Sequence, residues 1–222
     1  MSLFDTGFYD LVVCPKTHDS ISGLAFEARR SGFCGIAVSN NSIDELNNVN
    51  KPPDFSIYPG IIISCKPSKF RDEIRKHKGK AAIMIARGKD EEFTRAAVET
   101  DGLDIILQPD KFNNVLAKTA DDNSIAIGFN VGSIIRMRGE VRVRELKKMR
   151  TNLKHARKYG MQMVLTCECS SPYDFRSPRE IVALSGLFGM EREEAVLALG
   201  ENPLAILKRK SPGYIQEGIE LV

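Results

Sequence analysis

The sequence predicts an α/β fold: a TIM-barrel-like (β/α) barrel of about seven parallel strands ringed by helices. Three observations carry this reading. Short apolar runs recur along the 222 residues, and most are near-continuous rather than alternating, as strands covered on both faces require. The segments between them open with helix-start signals. No Pro/Gly/Ser-rich linker divides the chain, and a 42% hydrophobic content suits one sizeable core. Residues 1–210 are therefore read as a single barrel domain and 211–222 as a C-terminal tail.

Strands are expected at Tyr9 to Val13, Cys34 to Val38, Ile57 to Ser64, Ala81 to Ile85, Leu103 to Leu107, Ile125 to Phe129 and Gln162 to Thr166. Ser42-Ile-Asp-Glu45 and Ser177-Pro-Arg-Glu180 have the capping-box pattern, and Pro178 suits a first helical position. Asn202-Pro203 is read as the start of a last helix. An open dinucleotide-binding sheet would need a Gly-rich turn after the first strand, where the chain has Cys14-Pro-Lys-Thr-His18. A closed barrel fits better. The tail, with apolar Ile219 and Leu221 in alternation, shows no helix pattern.

Composition excludes several classes. No apolar run approaches the ~20 residues of a membrane span, and the start lacks the features of a signal peptide, so the expectation is a cytoplasmic protein with no membrane partner. Five cysteines, an odd number, read as reduced thiols. Cys14, Cys65, Cys167 and Cys169 fall at strand ends, yet Cys167-Glu-Cys169 lacks the two-residue spacer of metal sites, and no metal is assigned. Catalytic equipment at the strand ends is sparse, since only His18 of three histidines lies there, and His18-Asp19 reads as a helix cap. Trp is absent and aromatics are 7%, so any nucleic acid should be held by its phosphates rather than by stacked bases.

Charge is the most informative feature for function. Arg136 to Lys158 holds ten Lys or Arg against Glu140 and Glu145, which is eight positive, while the whole chain is only +3. The rest of the protein is therefore about −5, and a concentrated cationic face on an acidic body is the footprint of a polyanion partner. Leu146, Met149, Leu153 and Ala156 form one apolar stripe at helical spacing. Arg144, Lys147, Lys148, His155 and Lys158 are expected on the opposite side. Few of these cations have an acid at i−4, which leaves their repulsion uncompensated along the helix.

The segment Met163-Val-Leu-Thr-Cys-Glu-Cys-Ser-Ser-Pro-Tyr-Asp-Phe-Arg-Ser-Pro-Arg-Glu-Ile-Val-Ala-Leu184, after Asn152-Leu-Lys-His-Ala-Arg-Lys-Tyr159, resembles archaeal ribonuclease P protein component 3. This family is the counterpart of the eukaryotic thirty-kilodalton ribonuclease P subunit. Tyr9-Asp-Leu11, Ala97-Val-Glu-Thr-Asp-Gly-Leu-Asp104, Ala126-Ile-Gly-Phe-Asn130 and Asn202-Pro-Leu204 extend the likeness through most of the chain. The resemblance implies a TIM-barrel-like subunit of the ribonucleoprotein that removes the 5′ leader of precursor tRNA. It implies chemistry by the RNA subunit, Mg²⁺ in the holoenzyme with no cofactor on this chain, and pairing with component 2, two copies of each. The fold is also similar to the polymerase-and-histidinol-phosphatase hydrolases, whose H-x-H and Asp-x-His motifs fall here on Val12-Val-Cys14 and Glu168-Cys-Ser170. Their ligand histidines are missing, so no catalytic residue is assigned.

RNA-phosphate contact is assigned to Arg136, Arg138, Arg142, Arg144, Lys147, Lys148, Arg150 and Lys154, with Arg176 and Arg179 after the seventh strand as further candidates. Arg87 and Lys66, at the ends of strands four and three, rank below these. The rival readings are a metal-dependent phosphoesterase with substituted ligands, betrayed by bound metal, and a protein-only scaffold, betrayed by RNA binding that ignores salt.

Overall fold

A computed structural model describes residues 7–17, 20–39 and 46–209, together with the backbone of 214–216 and 219–220. His18, Asp19 and the Ser42-to-Glu45 capping pattern lie outside the described residues. Seven parallel strands pair strictly in chain order: β1 (Tyr9–Val13), β2 (Gly35–Ser39), β3 (Ser56–Ile63), β4 (Ile83–Arg87), β5 (Ile105–Leu107), β6 (Ala126–Asn130) and β7 (Met163–Thr166). All seven expected strands are present. The fourth and fifth start two residues later than their apolar runs suggest; just ahead of β5, the Asp104 carboxylate accepts a 2.6 Å hydrogen bond from the Met84 backbone N–H and ties the two strands together. Each strand hands over to helix or loop on the outside, as a right-handed parallel connection requires.

The described helices are α1 (Ser20–Ser31), α2 (Phe70–His77), α3 (Glu91–Val98), α4 (Asn114–Asp122), α5 (Val131–Arg136), α6 (Gly139–Tyr159), α7 (Pro178–Ser185), α8 (Arg192–Leu199) and α9 (Glu201–Lys208). Their starts follow from side-chain chemistry. Asp90, Asn113 and Asn130 each accept a hydrogen bond from a backbone N–H three residues on. The capping box at Ser177 and Glu180 forms as expected. A second one, Glu191 with Glu194, starts α8. Asn202 does not cap the last helix, which begins one residue earlier. Its side chain instead donates to the Met163 carbonyl at 2.9 Å and fastens α9 to the start of β7.

Two apolar layers result. The larger lies between sheet and helices, where Phe129 stacks on Phe188 with centroids 5.3 Å apart. The smaller fills the barrel with Leu11, Ala37, Ile85, Ile105 and Val164, and Ile206 and Leu207 of α9 join it. Helix α9 touches the strand starts and so stops the amino end of the barrel. The carboxyl end stays available for chemistry.

With seven strands the barrel has a seam. Between β1 and β7 the closure runs through Asp10, fully buried: Oδ1 accepts from Thr166 Oγ1 at 2.5 Å and from the Val12 N–H at 3.0 Å, and Oδ2 from the Cys167 N–H at 3.1 Å. Just beyond, the Cys14 N–H donates to the Cys169 carbonyl at 2.8 Å. The tail contributes two short antiparallel strands, β8 (Tyr214–Gln216) and β9 (Ile219–Glu220).

Candidate nucleic-acid interface

The basic helix α6 is 21 residues long and ends at Gly160, whose φ of 71° closes the last turn in the left-handed region open to glycine. Met149, Leu153 and Ala156 face the core as expected, and Leu146 packs against it. Glu145 and Asn152 share that inward face. Asn152 donates to the Pro109 carbonyl at 3.0 Å, and the Glu145 carboxylate accepts from the Gln108 side chain. These two polar residues lock the helix to the end of β5. Their spacing with Met149 and Ala156 (145, 149, 152, 156) is helical and was open to detection.

The structure sorts the ten cations into two groups. Six are tied inward. Lys148 lies 3.0 Å from both Asp110 and Glu145; burial opposes its charge, yet those two carboxylates outweigh burial and raise its pKa. Arg142 Nε donates to the Met137 carbonyl at 2.8 Å, and Arg150 to the Leu187 carbonyl at 2.9 Å. Arg157 forks onto Glu194 at 2.8 and 2.7 Å, which lowers the Glu194 pKa. Lys158 donates to Asn114 Oδ1 at 3.0 Å. Arg136 turns to the carboxyl-end mouth of the barrel. The other four, Arg138, Arg144, Lys147 and Lys154, are exposed, and their side chains make no hydrogen bond or ion pair among the described residues.

His155 corrects the expected polar face. It packs edge-on against Phe112, with ring centroids 6.2 Å apart. Burial, then the neighbouring Lys158 and Lys154, lowers its pKa, so it is neutral at pH 7 and adds nothing to the cationic row. Arg176 also turns inward, bonding the Tyr173 and Phe175 carbonyls at 2.9 and 2.6 Å, while Arg179 is exposed. A helix whose inward cations are matched by carboxylates and carbonyls presents its remaining charge, Arg144, Lys147 and Lys154, on one outward face.

The barrel mouth has its own electrostatics. Arg87 at the end of β4 reaches across to the carboxylate of Glu168, just after β7, and Asn130 Nδ2 donates to the same carboxylate. Arg136 joins from α5: its Nη2 lies 4.0 Å from Glu168 Oε2, and its Nη1 donates to the Cys167 carbonyl at 3.1 Å. Cys14 and Cys169 nearby are neutral thiols. Burial raises the Cys14 pKa despite Arg87, and a hydrogen bond with Cys167 followed by burial raises that of Cys169. No group of three or more metal-ligating side chains occurs among the described residues. No helix there is long and apolar enough to cross a membrane.

Comparison with known proteins places this geometry. The family model described as RNase P subunit p30 matches residues 7–212. The ribonuclease P protein component 3 of Methanococcoides burtonii is 37% identical over 98% of this chain and 95% of its own length. The component 3 proteins of Methanosarcina mazei and Methanothermobacter thermautotrophicus are 36% and 32% identical over 97% of the chain, each over 95% of its own length. Among solved structures, a chain of archaeal ribonuclease P with mature tRNA, determined by cryo-EM, superposes with a TM-score of 0.77 at 20% identity, covering 96% of this chain and 97% of that one. Ochratoxinase of A. niger superposes at 0.61 with 12% identity, over 97% of this chain and 75% of its own. These structural likenesses show a shared barrel.

Proposed function

The chain belongs to the RNase P subunit p30 family and is a ribonuclease P protein subunit, part of an endoribonuclease complex; from that premise we propose that it docks on the RNA subunit through one face of α6. Arg138, Arg144, Lys147 and Lys154 contact phosphates, and Arg179 extends the surface. Arg136, Arg142, Lys148, Arg150 and Arg176 hold the fold around them. The single observation that carries this is the sorting itself: in a helix that otherwise pairs its cations, the exposed row is left unmatched. Such a row binds a polyphosphate backbone without reading its sequence.

In this reading the subunit supports removal of the 5′ leader of precursor tRNA while the RNA performs the chemistry. It pairs with component 2, two copies of each. Mg²⁺ belongs with the RNA. The barrel mouth, where related hydrolase folds place ligands, presents two guanidinium groups around the Glu168 carboxylate, and their charge disfavours a divalent cation there. The same donor set disfavours a phosphoesterase with substituted ligands.

The test is binding of the RNA subunit by the variant R144Q/K147Q/K154Q across a salt series. Three lost phosphate contacts should flatten the slope of log K against log salt by about two units. Exposed cations contribute within roughly 0.5 kcal/mol each to stability, so the variant should stay folded. Unchanged affinity and slope in a folded variant would make the row a solvated face and leave the protein-only scaffold standing.

A further inference from the structure

Glu168, Arg87 and Arg136 form a cluster that the RNA-docking reading does not use. Arg87 and Glu168 come from opposite sides of the barrel, β4 and β7, and meet over its carboxyl end. The two guanidinium groups outnumber the Glu168 carboxylate between them, with the buried Asp10 carboxyl behind it on the Cys167 N–H. Glu168 is 14% exposed, whereas Arg87 and Arg136 are 48% and 43% exposed, so each arginine turns unused N–H donors to solvent. Lys89, two residues beyond Arg87 and bonded to Ser64 Oγ at 2.9 Å, adds a further cation to that end of the barrel.

The site is built rather than incidental. Glu168 has a φ of 50°, a conformation that costs a residue with a side chain, and it aims the carboxylate back across the mouth. A Cβ on Gly132 would stand 2.1 Å from the Cys167 carbonyl and 2.7 Å from Arg136 Nη1, so glycine there is what lets Arg136 reach the strand end. Gly88 is equally obligatory, since a Cβ would stand 2.2 Å from the Pro109 Cα beside Arg87. Ser39 Oγ, buried at the end of β2, makes no hydrogen bond among the described residues beyond a loose contact with the Cys14 thiol, which itself neighbours Arg87.

The geometry points to the carboxyl-end mouth of the barrel as a phosphate-binding site, in which Arg87 and Arg136 together clasp a phosphate group while Glu168 holds them ready and competes for them. Two planar guanidinium forks converging on one point suit a tetrahedral oxyanion with several acceptor oxygens better than a halide or a single carboxylate. The phosphate can be inorganic or the terminal phosphate of an RNA strand. This site lies on the barrel rim and is independent of the α6 row.

The competition fixes the sign of the test. The purified full chain, E168Q and R87Q/R136Q are melted in phosphate, acetate and chloride at matched ionic strength, and phosphate titrations follow the arginine Nε–H signals by NMR. Phosphate should raise the wild-type melting temperature above the chloride and acetate values. It should do so more strongly in E168Q, with at least fivefold tighter binding, and should restore stability that E168Q loses in chloride. It should have only the general salt effect on R87Q/R136Q, and K147Q/K154Q should respond like wild type whatever becomes of RNA docking. If the double arginine variant fails to fold, the wild-type Arg87 and Arg136 signals decide, by shifting with phosphate or not. Oligoribonucleotides with and without a 5′-phosphate then separate the sources: preference for the phosphorylated strand, lost in R87Q/R136Q, assigns the RNA end, and equal binding of both assigns the free anion. An equal phosphate response in wild type, E168Q and R87Q/R136Q, or arginine signals that ignore phosphate, overturns the proposal.

Discussion

Replacing Asp10 by Asn should change how stability depends on pH, and the seam supplies the magnitude. Burial pushes the Asp10 carboxyl from 3.8 up to about 6, against the opposing pull of three hydrogen bonds from Thr166, Val12 and Cys167. A folded pKa above the unfolded one means that between those values the folded chain keeps a proton the unfolded chain has released. Stability from this group is therefore full below about pH 4, falls as pH rises through the window, and is flat above about 6; a shift of two units corresponds to roughly 3 kcal/mol. The seam can accommodate the proton. Neutral Asp10 can donate to Thr166 Oγ1, whose own hydrogen then turns to the Val12 carbonyl at 3.3 Å. Asparagine cannot titrate, and whichever way its amide turns, an NH₂ faces a backbone N–H of Val12 or Cys167, a pH-independent cost of about 1–3 kcal/mol. Urea unfolding followed by circular dichroism at pH 4 to 7 gives both quantities. Taking the difference between wild type and D10N removes the other carboxylates, such as Glu194, whose depressed pKa gives stability that is lost as pH falls. The difference should shrink by about 2.4 kcal/mol from pH 4 to pH 7, the unfolded carboxyl being already partly ionised at pH 4. A difference that stays flat would mean that Asp10 is ionised at pH 4 in the folded chain, and the desolvation argument would fail.

Two further outcomes follow from the fold and the family. Mixed with component 2 at micromolar concentration, the chain should elute in size-exclusion chromatography with light scattering at the mass of two copies of each; independent monomers would remove that pairing. Leu153→Asp, which buries a carboxylate on the inner face of α6 at a position 2% exposed, should cost more than about 3 kcal/mol and weaken RNA binding only through unfolding. Normal stability of that variant would show that the helix is not seated as described.

Much of what depends on neighbours in sequence was legible beforehand, although the equally local caps at Asp90, Asn113 and Asn130 and the Glu191–Glu194 capping box were passed over. The strands are near-continuous Val, Ile, Leu and Ala because both faces are covered, and Ser177 and Glu180 lie three apart because the capping box needs that spacing. The basic helix stood out by composition alone. Which of its cations reach solvent did not, because their partners come from elsewhere in the fold: Asp110 after β5, Glu194 on α8, Asn114 on α4 and the carbonyl of Leu187. A search along one helix for acids at i−4 passes over all of these. The mouth cluster was hidden for the same reason, since Arg87 and Glu168 become neighbours only when the barrel closes.

That division explains how a chain of small net charge can present a concentrated cationic face. Each tied cation of α6 is used as a fastener, held by a carboxylate or an amide or backbone oxygen from elsewhere in the fold. These ties keep the helix rigid without diluting the outer row. From Arg144 to Lys154 that row spans about 15 Å at 1.5 Å per residue, long enough to meet several phosphates along one strand. Had the acids been placed along the same outer face, as in an ordinary solvated helix, the helix would be as stable and the field would vanish. The unmatched outer row has no structural use among the described contacts, and the proposed polyanion partner would give it one.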